Sequence, residues 1–143
     1  MNALPSGYVL TDDPDAIDPV AAHAYLTTSY WAEGIPLETV ARSIDGSLCV
    51  AVLNGGKQIA FARIISDFAT FAYLADVYVL DAHRGRGIAH AMLDHLVTHP
   101  RLQGLRRWAL FTKDAQSLYA RFGWMQYPNP ERMMTRDFAD AYR

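Results

Sequence analysis

Thiol chemistry has almost no place in this chain: Cys49 is the single cysteine among 143 residues. That excludes an internal disulfide and any metal site built on paired thiolates. Cys49 sits in the apolar run Leu48-Cys49-Val50-Ala51-Val52-Leu53, where a buried strand residue is expected, and the composition suits a reducing, cytoplasmic setting. Long hydrophobic runs are also missing; none approaches the roughly 20 apolar residues that a membrane-spanning helix needs. Met1-Asn2-Ala3-Leu4-Pro5 lacks the basic and apolar regions of an export signal, so neither export nor anchoring to a membrane is expected. Repeats, low-complexity stretches and linkers are absent. Net charge is only −2, which argues against general nucleic-acid affinity. What remains is one domain over residues 1–143, with 51% hydrophobic content sufficient for a full core.

The few charges are unevenly placed. Up to His83 there are 3 basic and 10 acidic residues, and from Arg84 onward 10 basic and 5 acidic. One half of the chain suits cations and the other anions, as an enzyme joining a polyanionic cofactor to a cationic amine would require.

Spacing gives the order of elements. Gly7 to Thr11 reads as a short strand, and Asp18-Pro19 as a helix start with Asp as N-cap and Pro at the first helical position, running to about Ser29 or Trp31. A second helix begins near Pro36, with Leu37, Val40, Ala41 and Ile44 at i, i+3, i+4 and i+7, and ends at Gly46. Asn54-Gly55-Gly56 between two apolar runs signals a tight hairpin. A further turn near Asp67-Phe68 leads to Thr70 to Leu80, so three antiparallel strands are expected. A helix from Arg84 to about Thr98, a parallel strand over Arg107 to Thr112 and a helix capped by Asp114 and closed by Gly123 follow. Trp124 to Tyr127 and Arg132 to Thr135 read as two short final strands around Pro128-Asn129-Pro130. The expected class is therefore α/β (α+β), with about four helices on a mixed, mostly antiparallel sheet of about six to seven strands, in the order βααβββαβαββ.

At the changeover from strand to helix stand two glycines, Gly85 and Gly87. Glycine permits close backbone approach, and the first turn of a helix offers unpaired N–H groups and a positive dipole end, so the stretch suits an anion. Following Val77-Tyr78-Val79, the pattern Arg84-x-x-Gly87-x-Ala89 resembles the Arg/Gln-x-x-Gly-x-Gly/Ala acyl-CoA signature of the GNAT (GCN5-related) N-acetyltransferases. A second local resemblance lies in Thr112-x-x-Ala115-x-x-Leu118-Tyr119-x-x-Phe122-Gly123-Trp124, similar to the family's Asn-x-x-Ala-x-x-Leu-Tyr-x-x-x-Gly-Phe element. Thr112 stands where Asn is common and Trp124 where Phe is usual. The order of elements matches the GNAT fold along nearly the whole chain.

The resemblance implies an acetyl-CoA-dependent N-acetyltransferase that moves an acetyl group to a primary amine by direct attack in a ternary complex. The backbone from Gly85 through Arg86, Gly87 and Ile88 to Ala89 would hold the pyrophosphate, with the Arg84 and Arg86 side chains at its edge. Main-chain groups of Val77 and Val79 would pair with the pantetheine arm as an added strand does, and the Val79 N–H would polarise the thioester oxygen. Thr112 is a further cofactor contact. Tyr119 is the candidate acid for the departing thiolate, and Asp76 the candidate base, with Glu33 and Asp67 lesser ones. Tyr30, Trp31 and Glu33, between the first two helices, would receive the amine.

A small amine is the favoured acceptor, because the N-terminal half is acidic. A peptide or protein lysine, a protein N-terminus, and a non-catalytic acyl-CoA-binding module are the alternatives. A homodimer is the assembly left open. His95 and His99 are spaced i, i+4 with His83 nearby, but no His-Glu-x-x-His pattern or third ligand accompanies them and a helix C-terminus favours histidine, so no metal is expected.

Overall fold

The computed structural model describes residues 4–142. Its elements are β1 (Tyr8–Thr11), α1 (Pro19–Leu26), α2 (Leu37–Asp45), β2 (Leu48–Asn54), β3 (Lys57–Ser66), β4 (Phe71–Val79), α3 (Ile88–Val97), β5 (Arg107–Ala109) and α4 (Gln116–Ala120), with four short 3-10 turns. The strands form one five-stranded sheet in the order β1-β2-β3-β4-β5. Neighbours are antiparallel except β4 and β5, which run parallel across the α3 crossover.

Side chains alternate across the sheet, so it is buried on both faces. Val50, Val52, Ala62, Ile64, Ala72 and Leu74 pack under α3 with Ile88, Met92, Leu93 and Leu96. Cys49, Ala51, Phe61 and Tyr78 point the other way, against Ala22 and Leu26 of α1 and Val40 of α2. Asp18 caps α1 as its sequence indicates, accepting from the Val20 and Ala21 N–H groups at 2.9 and 3.2 Å. The β2–β3 turn needs positive φ at both central residues, and Gly55 and Gly56 supply it at +59° and +80°.

One irregularity decides the geometry of the site. Arg63 pairs with Ala75 and Phe61 with Tyr78, so Asp76 and Val77 on β4 oppose the single residue Ala62 on β3. This is a β-bulge, with Asp76 at φ +57°, a conformation that non-glycine residues adopt at a cost of roughly 1–3 kcal/mol. Without the extra residue, Asp76 would follow Ala72 and Leu74 into the core beneath α3. The bulge turns it to the α1/α2 face, the side that also holds Tyr78.

Several sequence expectations need correction. The sheet has five strands, not six to seven, and the described residues of Trp124 to Thr135 contain no strand. Pro128 and Pro130 each lack an N–H and fix φ, and the four-residue apolar stretches beside them have only a three-residue edge strand, Arg107–Ala109, to pair with. That strand stops well short of Thr112. Helix α1 ends at Leu26, and α3 starts at Ile88 after a 3-10 turn over Asp81–His83 rather than at Arg84. Asp114 does not cap α4; the Thr112 hydroxyl accepts from the Ala115 N–H at 3.0 Å instead.

Candidate active site

The parallel pairing of β4 and β5 lasts only from Phe71–Arg107 to Tyr73–Ala109. Beyond it the bulged half of β4 has no neighbour on that side. Ala60 and Val79 oppose each other, and the Leu80 N–H donates to the Ile59 carbonyl at 2.9 Å. In an antiparallel ladder this makes Ala60–Val79 a non-hydrogen-bonded pair, whose Val79 N–H and C=O are directed away from β3. The strand thus offers main-chain groups to the open side.

The turn after β4 continues this surface. Gly85 and Gly87 have φ of +77° and +76°, and no atom lies within 4 Å of where either would carry a Cβ. Gly87 is the N-cap of α3, and no side chain accepts from the first N–H groups of the helix. A ten-residue helix therefore presents an uncapped positive end to a glycine-lined hollow, the arrangement that receives phosphate.

Val77, Val79, Arg84, Gly85, Gly87, Ile88, Ala89 and Tyr119 all line one cavity of about 440 Å³, with Tyr78, His83, His90, Ala115 and Leu118 completing its wall. Residues separated by more than thirty positions are thus brought to one place. Arg86 is exposed outside this wall. Arg84 is also exposed but is held in place: its Nε donates to the Val79 carbonyl at 3.0 Å, and its other nitrogens reach Asp81 at 2.9 Å and the Tyr25 hydroxyl at 3.3 Å. Thr112 lines a different, larger cavity of about 1180 Å³ between β5, α4 and the C-terminal segment, whose wall Tyr119 shares.

Tyr119 is 9% exposed, and burial, with a smaller contribution from nearby Tyr30, pushes its phenol up to about 12. It therefore stays protonated throughout the working pH range. Trp124 packs edge-on behind its ring at 6.0 Å.

Asp76 is not presented to the cavity. One carboxylate oxygen accepts from Trp31 Nε1 and the other from Arg63 Nε, both at 2.9 Å. Arg63 also donates to the Ser47 hydroxyl at 3.1 Å. Asp76 and Tyr119 belong to opposite faces of the sheet, because the bulge returns Asp76 to the α1/α2 side whereas Tyr119 packs in the cluster beneath α3. In this geometry the carboxylate expected to serve as base is engaged by Trp31 and Arg63. Asp67 closes the β3–β4 turn, and hydrogen bonds from Thr70 and Ala69 hold its carboxyl well below the usual range.

The residues expected to receive the amine stand at the surface. Tyr30 and Trp31 are 60% and 40% exposed, so neither is a core residue, and their rings meet edge-on at 5.1 Å. Tyr25 lies between Trp31 and Tyr78, stacking on Tyr78 at 4.2 Å. The Tyr30 hydroxyl accepts from the Lys113 N–H at 3.2 Å, which ties this segment to the β5–α4 connection. Glu33 is exposed and has no hydrogen-bond or ion-pair partner among the described residues. The sequence reading missed His83, His90 and Tyr25. It could have found Arg63, a lone cation in the apolar run Ile59 to Ile65 that needs an acid on the next strand.

Comparison with known proteins places this geometry. Residues 14–124 match the model of the acetyltransferase (GNAT) family. A Xanthomonas campestris protein of known crystal structure, assigned to the GNAT family of acetyltransferases, is 45% identical, with 98% of this chain and 99% of that one covered and a TM-score of 0.93. A Gibberella zeae protein named as an acetyltransferase is 29% identical across 80% of this chain and 76% of its own length. A Deinococcus radiodurans structure shares the fold at 18% identity and a TM-score of 0.76, covering 96% of this chain and 92% of its own. The cradle, the splayed strands and the relatives agree: this chain is an acyltransferase and belongs to the GNAT family of acetyltransferases.

Proposed function

We propose that this enzyme transfers acetyl from acetyl-CoA to the primary amine of a small molecule by direct attack in a ternary complex. Acetyl-CoA supplies an activated thioester. The observation that carries the reading is the convergence, on one cavity, of the uncapped start of α3, the β4 main chain and the buried hydroxyl-bearing Tyr119.

Each requirement of the chemistry except removal of the amine's proton has a residue. The backbone of Gly85 to Ala89 holds the pyrophosphate, and exposed Arg86 adds charge at its rim. Arg84 takes a different part: by occupying the Val79 carbonyl it leaves the Val79 N–H as the free donor for the thioester oxygen. The Val77 main chain binds the pantetheine arm, and Val79 takes part through its N–H alone. The Tyr119 hydroxyl, protonated at neutral pH, donates to the departing sulfur. Tyr30, Trp31 and Glu33 receive the amine, aromatic faces and a carboxylate being suited to an ammonium group. Asp76 positions Trp31, and the amine gives up its proton to solvent. Cys49 takes no part: burial pushes its thiol up to about 12, and its neighbours are Ala51, Phe61 and Val40 on the α2 side.

The test is an acceptor screen that reads CoA release over small amines, polyamines, amino acids and lysine peptides. Turnover of small amines above the peptides is expected. Preference for peptides would replace the acceptor assignment, and acetyl-CoA binding without release across the panel would make the chain a binding module.

A further inference from the structure

At the end of α3 opposite the cavity, the residue that follows β1 meets the last turn of the helix. Asp12 Oδ2 lies 2.8 Å from His95 Nε2 and 3.1 Å from His99 Nε2. His95 is in the final turn of α3, and His99, two residues past its end, is the N-cap of the following 3-10 turn. The sequence shows the two histidines one helical turn apart. Only the fold supplies the third group, from a segment more than eighty residues away.

We propose that Asp12, His95 and His99 form a binding site for a divalent transition metal of the zinc class. Two imidazoles and one carboxylate are the ligand types that favour zinc over magnesium or calcium, and three protein ligands leave a fourth position for water. The three ligand atoms all lie within 4.8 Å of one another. Zinc–ligand bonds of about 2.0–2.1 Å in a tetrahedron separate ligand atoms by roughly 3.3 Å, so the O···N pairs must open by a few tenths of an ångström and the two imidazole nitrogens, within 4.8 Å of each other, must settle at that same spacing. The side chains of Asp12, His95 and His99 are 37%, 34% and 12% exposed, which gives an ion a path in while the rings stay packed.

The same geometry specifies what the metal must displace. His99 Nδ1 accepts from the Arg101 N–H at 3.1 Å, which puts the proton of the neutral ring on Nε2, facing Asp12. Coordination through Nε2 needs that proton to leave and Nδ1 to carry it, so binding exchanges one capping hydrogen bond for a metal bond. The ion would join the β1 edge of the sheet to the C-terminal end of the helix whose other end forms the phosphate cradle.

Tag-free, chelator-treated protein titrated with Zn²⁺ by calorimetry and with Co²⁺ by visible absorption tests this. One ion per chain is expected, with the intense bands of tetrahedral Co²⁺ and a raised thermal midpoint with Zn²⁺. Asp12→Asn, His95→Gln and His99→Ala should each weaken binding at least tenfold, with folding checked by circular dichroism. The ¹⁵N spectrum of the His99 ring should show its proton on Nε2 without metal and on Nδ1 with Zn²⁺. Absence of saturable one-to-one binding, equal binding by the triple variant, or an Nε2 proton that persists at saturation would each overturn the proposal.

Discussion

The proposed cofactor side and the proposed acceptor side of this enzyme are built in opposite ways. The cradle is largely main chain, drawn from a contiguous stretch between Val77 and His90, with Ala115, Leu118 and Tyr119 added from α4 and the residue before it. The acceptor side is side chain, assembled from the α1–α2 connection, β3, the β4 bulge and the β5–α4 connection through the Trp31–Asp76–Arg63 and Tyr30–Lys113 contacts. Main-chain recognition fixes one cofactor and tolerates sequence change around it. Side-chain recognition can be altered residue by residue, which lets one fold serve different amines.

That contrast can be broken first at the cradle. Gly87→Val forces a β-branched residue to φ +76° and fills the hollow. It should lower acetyl-CoA affinity by roughly 10²-fold or more, measured by calorimetry, with the far-ultraviolet spectrum unchanged. Tyr119→Phe should reduce kcat by about 10²-fold, the lower range for a lost proton donor, with acetyl-CoA affinity within a factor of two. With Tyr119 present, kcat should show no alkaline limb from this group up to about pH 10. The raised phenol loses its proton only near pH 12, so the active, protonated form is fully populated below that.

A smaller and one-sided effect is expected from Asp76→Asn, which weakens the hold on Trp31 and leaves Arg63, 15% exposed, without its counter-ion. Acceptor KM should rise roughly tenfold while acetyl-CoA affinity holds, and stability should fall by a few kcal/mol, as for a buried pair losing one partner. A pronounced change in the pH profile instead would restore Asp76 as the base. Last, Cys49→Ala should change kcat by less than about twofold, and the native thiol should resist alkylation.

The sequence made the fold legible where signals were local. The Asn-Gly turn, the Asp18 cap and the glycine pair before α3 each act within a few residues, and each appears in the structure. The tail failed because strand formation needs a partner edge as well as a suitable local stretch, and β5 ends after three residues. Asp76 was recognised as needing a partner, but the bulge that decides its face is a register event between two strands. Arg63 stands 13 residues away from it and Trp31 45. No spacing rule within one element encodes that choice. The third ligand of the histidine pair was hidden for the same reason.

The uncapped start of α3 has a consequence for how the empty enzyme breathes. Amides that find no acceptor within the protein exchange their hydrogens with solvent readily, and the first turn they belong to is held by fewer bonds than the rest of the helix. A ligand that satisfies them adds to the stability of the native state by mass action, about 2.7 kcal/mol at a hundred times its dissociation constant, which corresponds to several degrees in thermal midpoint for a chain of this size. Loading should therefore be visible as slowed exchange at Ile88, Ala89 and His90 before any product is formed.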